Sequence, residues 1–292
     1  MKDMHHTNLV RISRGLFSKD ITTAPIRILG RMKCIAVFLT LILIPGFVSA
    51  QASDRMVLAE DDASDPIYKE GWKEEGGGTG LGAWTFQSLK TERAQSHAGF
   101  FIAETARNSD LNGIAIRGRA FGLFANGIGF EIASAFRPLK KPLMVGQTFS
   151  FLIEHAGIEK KFEQDDPATG SIGIVLRAGN AKDSVEDYNK GARFEFGCYE
   201  GRGTYQIYDG EPAGDTAIPL TDAGLSVSFT LVTPDTYDLE ITTLTDKKTA
   251  TLKGRKLGGE AGTKVGSFCI FDRDGEKSDA FFNGFQITGE RE

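Results

Sequence analysis

The run Gly78–Ala83 is the first stretch whose residue types could do chemistry, because its letters GTGLGA fit the loose dinucleotide-binding pattern G-x-G-x-x-G/A. Such a loop must leave a strand and open a helix whose N-terminus holds the pyrophosphate. The next residues, Trp84-Thr85-Phe86, are typical of a strand, and no strand–helix–strand unit follows them. We therefore interpret these glycines as irregular backbone that needs positive φ angles, and not as a cofactor site.

Trp72 and Trp84 flank this glycine segment, and the flat face of an indole ring can stack on the C–H groups of a sugar. Large aromatic rings are also common in protein cores. Two interpretations therefore stay open: both rings are buried, or at least one of them lines an exposed cleft. The second interpretation predicts a glycan site at these two residues.

Three arginines lie in strand-like segments and share the alternation phase of apolar neighbours, namely Arg117 and Arg119 in Ile114–Ala125, and Arg137 in the next segment. A buried charge must find a partner. Pairing with Glu131 or Glu154 is one prediction. The other is an acidic sugar, with Arg117 and Arg119 as ligand-binding residues.

Hydrolysis of a glycosidic bond needs two carboxylates about 5–9.5 Å apart. Glu195 and Glu200 are the nearest pair within one segment, but a spacing of five residues places them on opposite faces of a regular strand. We interpret both as solvated carboxylates, and an acid and base drawn from different strands stay open. The sequence contains no G-x-S-x-G elbow, and neither His97 nor His155 has a recognisable nucleophile partner.

The segment Asp272–Gly275 resembles the first half of a calcium-binding loop. The twelfth position of an EF-hand would be Asn283 instead of glutamate, and helical flanks are absent from the pattern. We therefore predict only a structural calcium of another kind, with Asp272, Asp274 and Asp279 as candidate ligands. The alternative is a hairpin turn at Asp274-Gly275.

The elements that must position these residues show the two-residue alternation of β-strands. In Leu225–Leu231, apolar side chains alternate with hydroxyls, and Tyr237–Ile241 alternates again after the turn Thr233–Thr236, which predicts a hairpin. About a dozen such segments, without a helical stripe or a fixed repeat, predict an all-β fold. We expect one domain over residues 66–289, an antiparallel two-sheet sandwich.

An uncharged apolar run spans residues 34–47, with Arg31 and Lys33 before it and Val48-Ser49-Ala50 after it. This pattern predicts a secretory signal peptide over residues 32–50, and an uncleaved membrane anchor is the alternative. We interpret residues 1–31 as a misannotated start or an extended basic flank, and the acidic residues 51–65 as a mobile leader. The predicted location is periplasmic, extracellular or on the cell surface.

The 292-residue chain is 40% hydrophobic and 25% charged, which is typical of a globular protein. Its net charge of −5 becomes −10 without residues 1–50, which hold seven Lys and Arg against two Asp. A molecule this acidic repels phosphate backbones and anionic lipid. We therefore expect no nucleic acid as a partner and, after cleavage, no membrane.

Cys198 and Cys269 could form one disulfide if the fold brings them together. The spacing of the cysteines and histidines does not match a zinc site.

One spaced pattern, Y-x-x-G-W followed by a glycine run and G-x-G-x-W, covers Tyr68, Gly71-Trp72, Gly76–Gly78, Gly80, Gly82 and Trp84. It resembles the start of a family of secreted bacterial β-sandwich proteins, and the likeness extends over residues 66–288. The resemblance implies a jelly roll like that of concanavalin A, laminin G and legume lectins, and no established activity. Glu75 replaces an asparagine of many members, and the chain stops at Glu292 without their hydrophobic sorting tail, so surface anchoring by such a tail is not implied.

These observations favour an exported, non-catalytic domain that binds a polysaccharide or a cell-envelope glycan, with no cofactor other than the structural calcium. The first alternative is a structural envelope or matrix protein without a small ligand. The second is a polysaccharide-cleaving enzyme. The sequence leaves the ligand and the oligomeric state open.

Overall fold

The computed structural model describes residues 55–90, 92, 96–107, 111, 113–126, 130–155, 170–179, 191–274 and 279–290. The predicted signal peptide, the alternative membrane anchor and the segment 1–31 lie outside these residues. Among the described residues, no helix has the length and apolar character needed to cross a bilayer.

Fifteen strands are present in the described part of the chain. In chain order they are β1 (Met56–Asp61), β2 (Thr85–Leu89), β3 (His97–Glu104), β4 (Arg119–Asn126), β5 (Ile132–Pro138), β6 (Thr148–His155), β7 (Ser171–Ala178), β8 (Ala192–Tyr199), β9 (Thr204–Tyr208), β10 (Gly214–Pro219), β11 (Leu225–Thr233), β12 (Thr236–Thr243), β13 (Thr249–Lys256), β14 (Val265–Arg273) and β15 (Ala280–Gly289). A single 3₁₀ turn, Pro66–Glu70, follows β1 within these residues.

The strands form two antiparallel sheets. The first sheet has the order β13-β12-β11-β6-β15-β4-β3, and β1 also pairs with β15. The second sheet has the order β10-β9-β8-β7-β14-β5-β2. The prediction of an all-β fold, an antiparallel two-sheet sandwich, is confirmed.

The core lies between the inner faces of the two sheets. Phe149 of the first sheet contacts Phe268 of the second, with ring centroids 5.1 Å apart, and Phe151 contacts Phe196 at 6.3 Å. The predicted hairpin of β11 and β12 is confirmed, because Val227 pairs with Ile241 and the four alternating apolar side chains from Leu225 to Leu231 are buried. Each fully buried side chain of this size stabilises the fold by about 1.5–3 kcal/mol.

The predicted mobile leader over residues 51–65 is wrong for residues 56–61, which form β1. Glu60 pairs with Gln286 of β15, and Asp61 is buried. An acidic run is typical of solvated chain, but here one of its carboxylates meets a buried arginine, Arg137, at 2.7 Å.

Both cysteines of the described chain are buried free thiols. Cys198 of β8 belongs to the core between the sheets, whereas Cys269 of β14 belongs to an apolar cluster on the other face of the second sheet. Strand β7 lies between β8 and β14, so the two thiols are separated by two strand spacings as well as by the sheet itself. The fold therefore does not bring them together for a disulfide. Burial raises the pKa of the Cys269 thiol to about 12.

Candidate functional site

The glycine segment that fits the dinucleotide pattern pairs with β1. Gly78 and Gly80 have φ angles of 67° and 71°, which confirms that positive φ is required here. A Cβ atom on Gly78 would lie 1.9 Å from the carbonyl oxygen of Glu60. Thr79 and Glu60 exchange backbone hydrogen bonds of 2.8 and 2.9 Å, so the glycines serve close backbone contact.

The two tryptophans are core residues, so the interpretation of an exposed cleft at Trp72 and Trp84 is wrong. Their exposed fractions are 5% and 1%. The two indoles meet edge to face at 5.0 Å, and Trp72 also packs on Phe100 and Phe121. The Arg137 guanidinium covers Trp84 at 4.6 Å from the ring centroid. Because the rings are covered on several sides, they offer no face to a sugar.

Arg137 is fully buried, as its alternation phase predicts, but its partners differ from the predicted Glu131 and Glu154. Its Nη1 atom lies 2.7 Å from Asp61 Oδ2 and donates to Tyr68 Oη at 3.0 Å, while Nη2 donates to a backbone carbonyl oxygen. Burial raises the pKa of the Asp61 carboxyl, and the neighbouring guanidinium offsets part of that rise. This cluster holds β1 against the second sheet. Both N–H groups of Arg137 Nη1 donate within the cluster, so Nη1 has no donor left for a ligand.

Arg117 and Arg119 lie in different surroundings. Ile116 and Arg119 exchange two backbone hydrogen bonds, so the exposed Arg117, with a φ of 48°, is in a tight turn. The predicted strand Ile114–Ala125 is therefore wrong before Arg119, because alternating apolar letters do not reveal a reversal of the chain. Arg119 Nη2 donates to the Tyr68 carbonyl oxygen at 2.9 Å. A ligand-binding role of these two arginines stays a prediction.

The candidate calcium ligands do not form a ligand set among the described residues, where no group of three or more acidic, His or Cys side chains could hold a metal ion. Asp272 is buried in β14, and Asp274 Oδ1 accepts the backbone N–H of Glu131 at 2.8 Å. Asp279 Oδ1 lies 3.4 Å from the amide nitrogen of Asn126. Residues 275–278, which complete the predicted hairpin turn, lie outside the described residues.

A cavity of about 380 Å³ lies on the outer face of the second sheet. Because Phe194 and Phe196 of β8 point into the core, the alternate residues Glu195 and Tyr199 point outward. The cavity, which we call the tyrosine pocket, is lined by Ala192, Arg193, Glu195, Tyr199, Tyr208, Asp209, Gly258, Gly259 and Arg273.

The polar centre of the tyrosine pocket is the Glu195 carboxylate. It accepts a hydrogen bond of 2.6 Å from Tyr199 Oη and lies 3.8 Å from Arg273 Nη1. Glu195 is only 12% exposed, so its interpretation as a solvated carboxylate is wrong. The Tyr199 ring meets the Tyr208 ring at 4.9 Å, and Tyr208 is 39% exposed. Tyr208 therefore presents aromatic surface beside a polar group.

One wall of the tyrosine pocket is fixed by ion pairs. Arg255 binds Asp209 through two hydrogen bonds of 2.7 and 2.9 Å, and Tyr237 Oη donates to the same carboxylate. Arg193 donates to two backbone carbonyl oxygens and, at 3.0 Å, to Asp235 Oδ1. The backbone N–H of Gly262 and this arginine lower the pKa of Asp235. The bidentate Arg255–Asp209 pair and the three hydrogen bonds of Arg193 hold these side chains in one geometry, so the wall is preorganised.

Glu200, the other carboxylate of the sequence pair, lies in the turn after β8. Its Oε2 atom is 3.3 Å from the backbone nitrogen of Gly170, and its own N–H donates to the Gly170 carbonyl oxygen. It is not among the lining residues of the tyrosine pocket. Tyr199 and Tyr208 were not predicted as site residues from the sequence, although the even spacing of Glu195 and Tyr199 in one strand predicts a shared face.

No family model matches the chain, and no curated protein matches it significantly. Several solved structures are similar in fold. Lectin II from Ulex europaeus is 9% identical, covers 70% of this chain and 99% of its own, and has a TM-score of 0.40. The lectin UEA-II in complex with galactose is 10% identical over 82% and 100%, with a TM-score of 0.42. A carbohydrate esterase from the Shiga toxin-encoding bacteriophage phi24B is 9% identical over 81% and 100%, with a TM-score of 0.40. Similarity at this level assigns neither a ligand nor an activity.

Proposed function

We propose that this chain is an exported, non-catalytic domain that binds a glycan in the tyrosine pocket. The observation that carries the proposal is the exposed ring of Tyr208 beside the polar group formed by Glu195, Tyr199 and Arg273. A sugar ring has an apolar C–H face and a rim of hydroxyls. An aromatic face next to hydrogen-bonding groups matches both.

The charges of the tyrosine pocket favour a neutral sugar. Its lining contains two arginines, Arg193 and Arg273, and two carboxylates, Glu195 and Asp209. The formal charges cancel, so no net field attracts a phosphate, a sulfate or a cation. The cavity volume of about 380 Å³ is at the lower end of the range for ligand sites, which suits a short stretch of glycan.

The exposed tyrosine gives a direct test of the proposal. We expect Tyr208→Ala to weaken glycan binding about ten-fold, which corresponds to about 1.4 kcal/mol, because the stacking face is lost. Tyr208→Phe keeps the ring and should bind nearly as the unchanged protein does. Leu89→Ala, another exposed large side chain on the second sheet, is the control. Binding is measured on a glycan array and then by titration with the best ligand.

The same experiment separates the alternatives. A blank glycan array together with co-purification in envelope fractions would overturn the proposal and favour a structural envelope or matrix protein. Sugar release from a polysaccharide panel would overturn the proposal that the domain is non-catalytic.

Glu195 and Asp209 both line the pocket, but the Asp209 carboxylate already accepts hydrogen bonds from Arg255 and Tyr237. A carboxylate so engaged is poorly suited to act as a general acid.

Export is proposed on the pattern of residues 32–50 alone. We expect the exported protein to begin at Gln51, a few residues before β1. N-terminal sequencing of protein from the periplasmic, surface and medium fractions checks this. Recovery of the chain inside the cell with its first residues intact would contradict it.

A further inference from the structure

A second cavity, of about 780 Å³, differs from the tyrosine pocket because its lining is mainly apolar. It is bounded by β1, the end of β15 and the loop that joins β5 to β6. We call it the lysine-rimmed cleft. Its apolar lining comprises Met56, Leu58, Ala59, Pro142, Met144 and Ile287. None of these residues takes part in the proposed glycan site.

The loop wall of this cleft is anchored. Leu139 and Leu143 are buried, and their backbone N–H groups donate to the carbonyl oxygens of Gly266 and Val265, each at 2.9 Å. The Met144 N–H donates to the Gln147 side chain at 2.9 Å. Because the loop is fixed at both leucines, the cleft is preformed and does not require a ligand to open it.

Two lysines stand at the mouth of the cleft on this loop. Lys140 and Lys141 are exposed, and Glu290 is the one acidic side chain among the lining residues that the structure describes. The local charge is therefore positive on a chain whose net charge is negative. The two methionines, Met56 and Met144, supply flexible and polarizable walls that adapt to an irregular apolar ligand.

We propose that the lysine-rimmed cleft binds a single-chain anionic amphiphile, such as a medium-chain fatty carboxylate. Its alkyl chain lies against Met56, Leu58 and Met144, and its head group lies between Lys140 and Lys141. A sugar does not fit this lining, because its hydroxyls would lose hydrogen bonds to water without replacement. An anionic bilayer is disfavoured by the net charge of the whole molecule, whereas a single chain enters the cleft alone.

Binding is tested by calorimetric titration of the purified protein with octanoate, decanoate and laurate below their critical micelle concentrations. Burial of each additional methylene should tighten binding by about two- to four-fold until the cleft is filled. The double variant K140Q/K141Q should weaken laurate binding by about five- to ten-fold and leave dodecanol binding unchanged, because only the head-group attraction is removed. The variant K253Q/K256Q removes the same charge from β13 and should have no effect.

Met144→Glu gives an independent test, because this side chain is 49% exposed and its replacement should not disturb the core. We expect it to weaken laurate binding at least five-fold with an unchanged melting temperature. Equal laurate binding by K140Q/K141Q and the unchanged protein, or an equal loss for dodecanol, would overturn the proposal. So would association with anionic vesicles in the absence of binding to monomeric laurate, which would indicate membrane docking, or formation of a dimer that excludes laurate.

Discussion

Arg137 contacts three residues that lie far from it in the sequence. Its guanidinium contacts Asp61 at the end of β1, Tyr68 in the 3₁₀ turn and the indole of Trp84. Tyr68 Oη donates to Asp61 Oδ2 at 2.6 Å and accepts from Trp84 Nε1 at 3.1 Å. Burial raises the pKa of Tyr68 to about 12, so the phenol keeps the proton that it donates. The aromatic and charged side chains of this cluster bind one another, so their role is structural.

The buried ion pair yields a prediction at the scale of one residue. Asp61→Ala should lower the free energy of unfolding by about 3–5 kcal/mol, because it leaves the Arg137 charge buried without its carboxylate. The double variant Asp61→Leu/Arg137→Met should cost less than the single one, since no unpaired charge remains. Urea denaturation gives both values. Glu60→Ala, one position earlier and exposed, is the control, and a cost of Asp61→Ala no greater than that of Glu60→Ala would refute the argument.

At the scale of elements, β1 completes the pairing of β15. Strand β15 is ten residues long, and β4 pairs only with its first part, Ala280–Phe282. β1 pairs with its last part, from Phe285 to Gly289, while β6 occupies the opposite edge. Without β1, the backbone groups of that half strand would lack a partner on one side. Strand β1, which the acidic sequence of residues 51–65 did not predict, is therefore needed to complete the first sheet.

Alternation predicts the strands that are buried on one face, and it fails where burial is irregular. The hairpin of β11 and β12 was predictable because four core residues recur at every second position. β10, Gly214–Pro219, was missed because it contains Gly, Asp and Pro, and its register with β9 shifts after Asp215. Ala217 in this strand has a φ of 57°, a conformation that no letter pattern signals.

The candidate site was only partly predictable for the same reason. Glu195 and Tyr199 lie in one strand, and their common face follows from their spacing. Tyr208 comes from β9 and Arg273 from β14, on opposite sides of β8 in the sheet order. Only the strand order brings these two residues to the same cavity. Likewise, the sequence could not decide whether Trp72 and Trp84 are buried, because that depends on Phe100, Phe121 and Arg137 from other elements.

At the scale of the whole molecule, His155 joins the two sheets. It ends β6 of the first sheet, and its Nε2 atom lies 2.9 Å from Tyr205 Oη of β9 in the second sheet. Burial lowers the pKa of His155 from 6.5 to about 4, and the Asp222 carboxylate opposes that shift only in part. The folded protein therefore holds this imidazole neutral at a pH where the unfolded chain protonates it.

This difference predicts a loss of stability in mild acid. The unfolded chain binds more protons than the folded one between pH 6.5 and about 4, so stability is complete above pH 6.5 and falls as the pH falls through this window. The contribution of His155 to the decrease is about 3 kcal/mol between pH 7 and pH 4. The raised pKa of Asp61 and Asp279 acts in the opposite sense, because a buried carboxyl with a raised pKa favours the folded state at low pH.

Urea denaturation at pH 4, 5, 6 and 7 measures this dependence. We expect His155→Gln to have a flatter profile than the unchanged protein, whatever its absolute stability, because the titrating group is gone. His97→Gln replaces an exposed histidine of β3 and should keep the original profile. If His155→Gln lost as much stability on acidification as the unchanged protein, the acid sensitivity would have to come from other groups, and the contact between the two sheets at His155 would not be its cause.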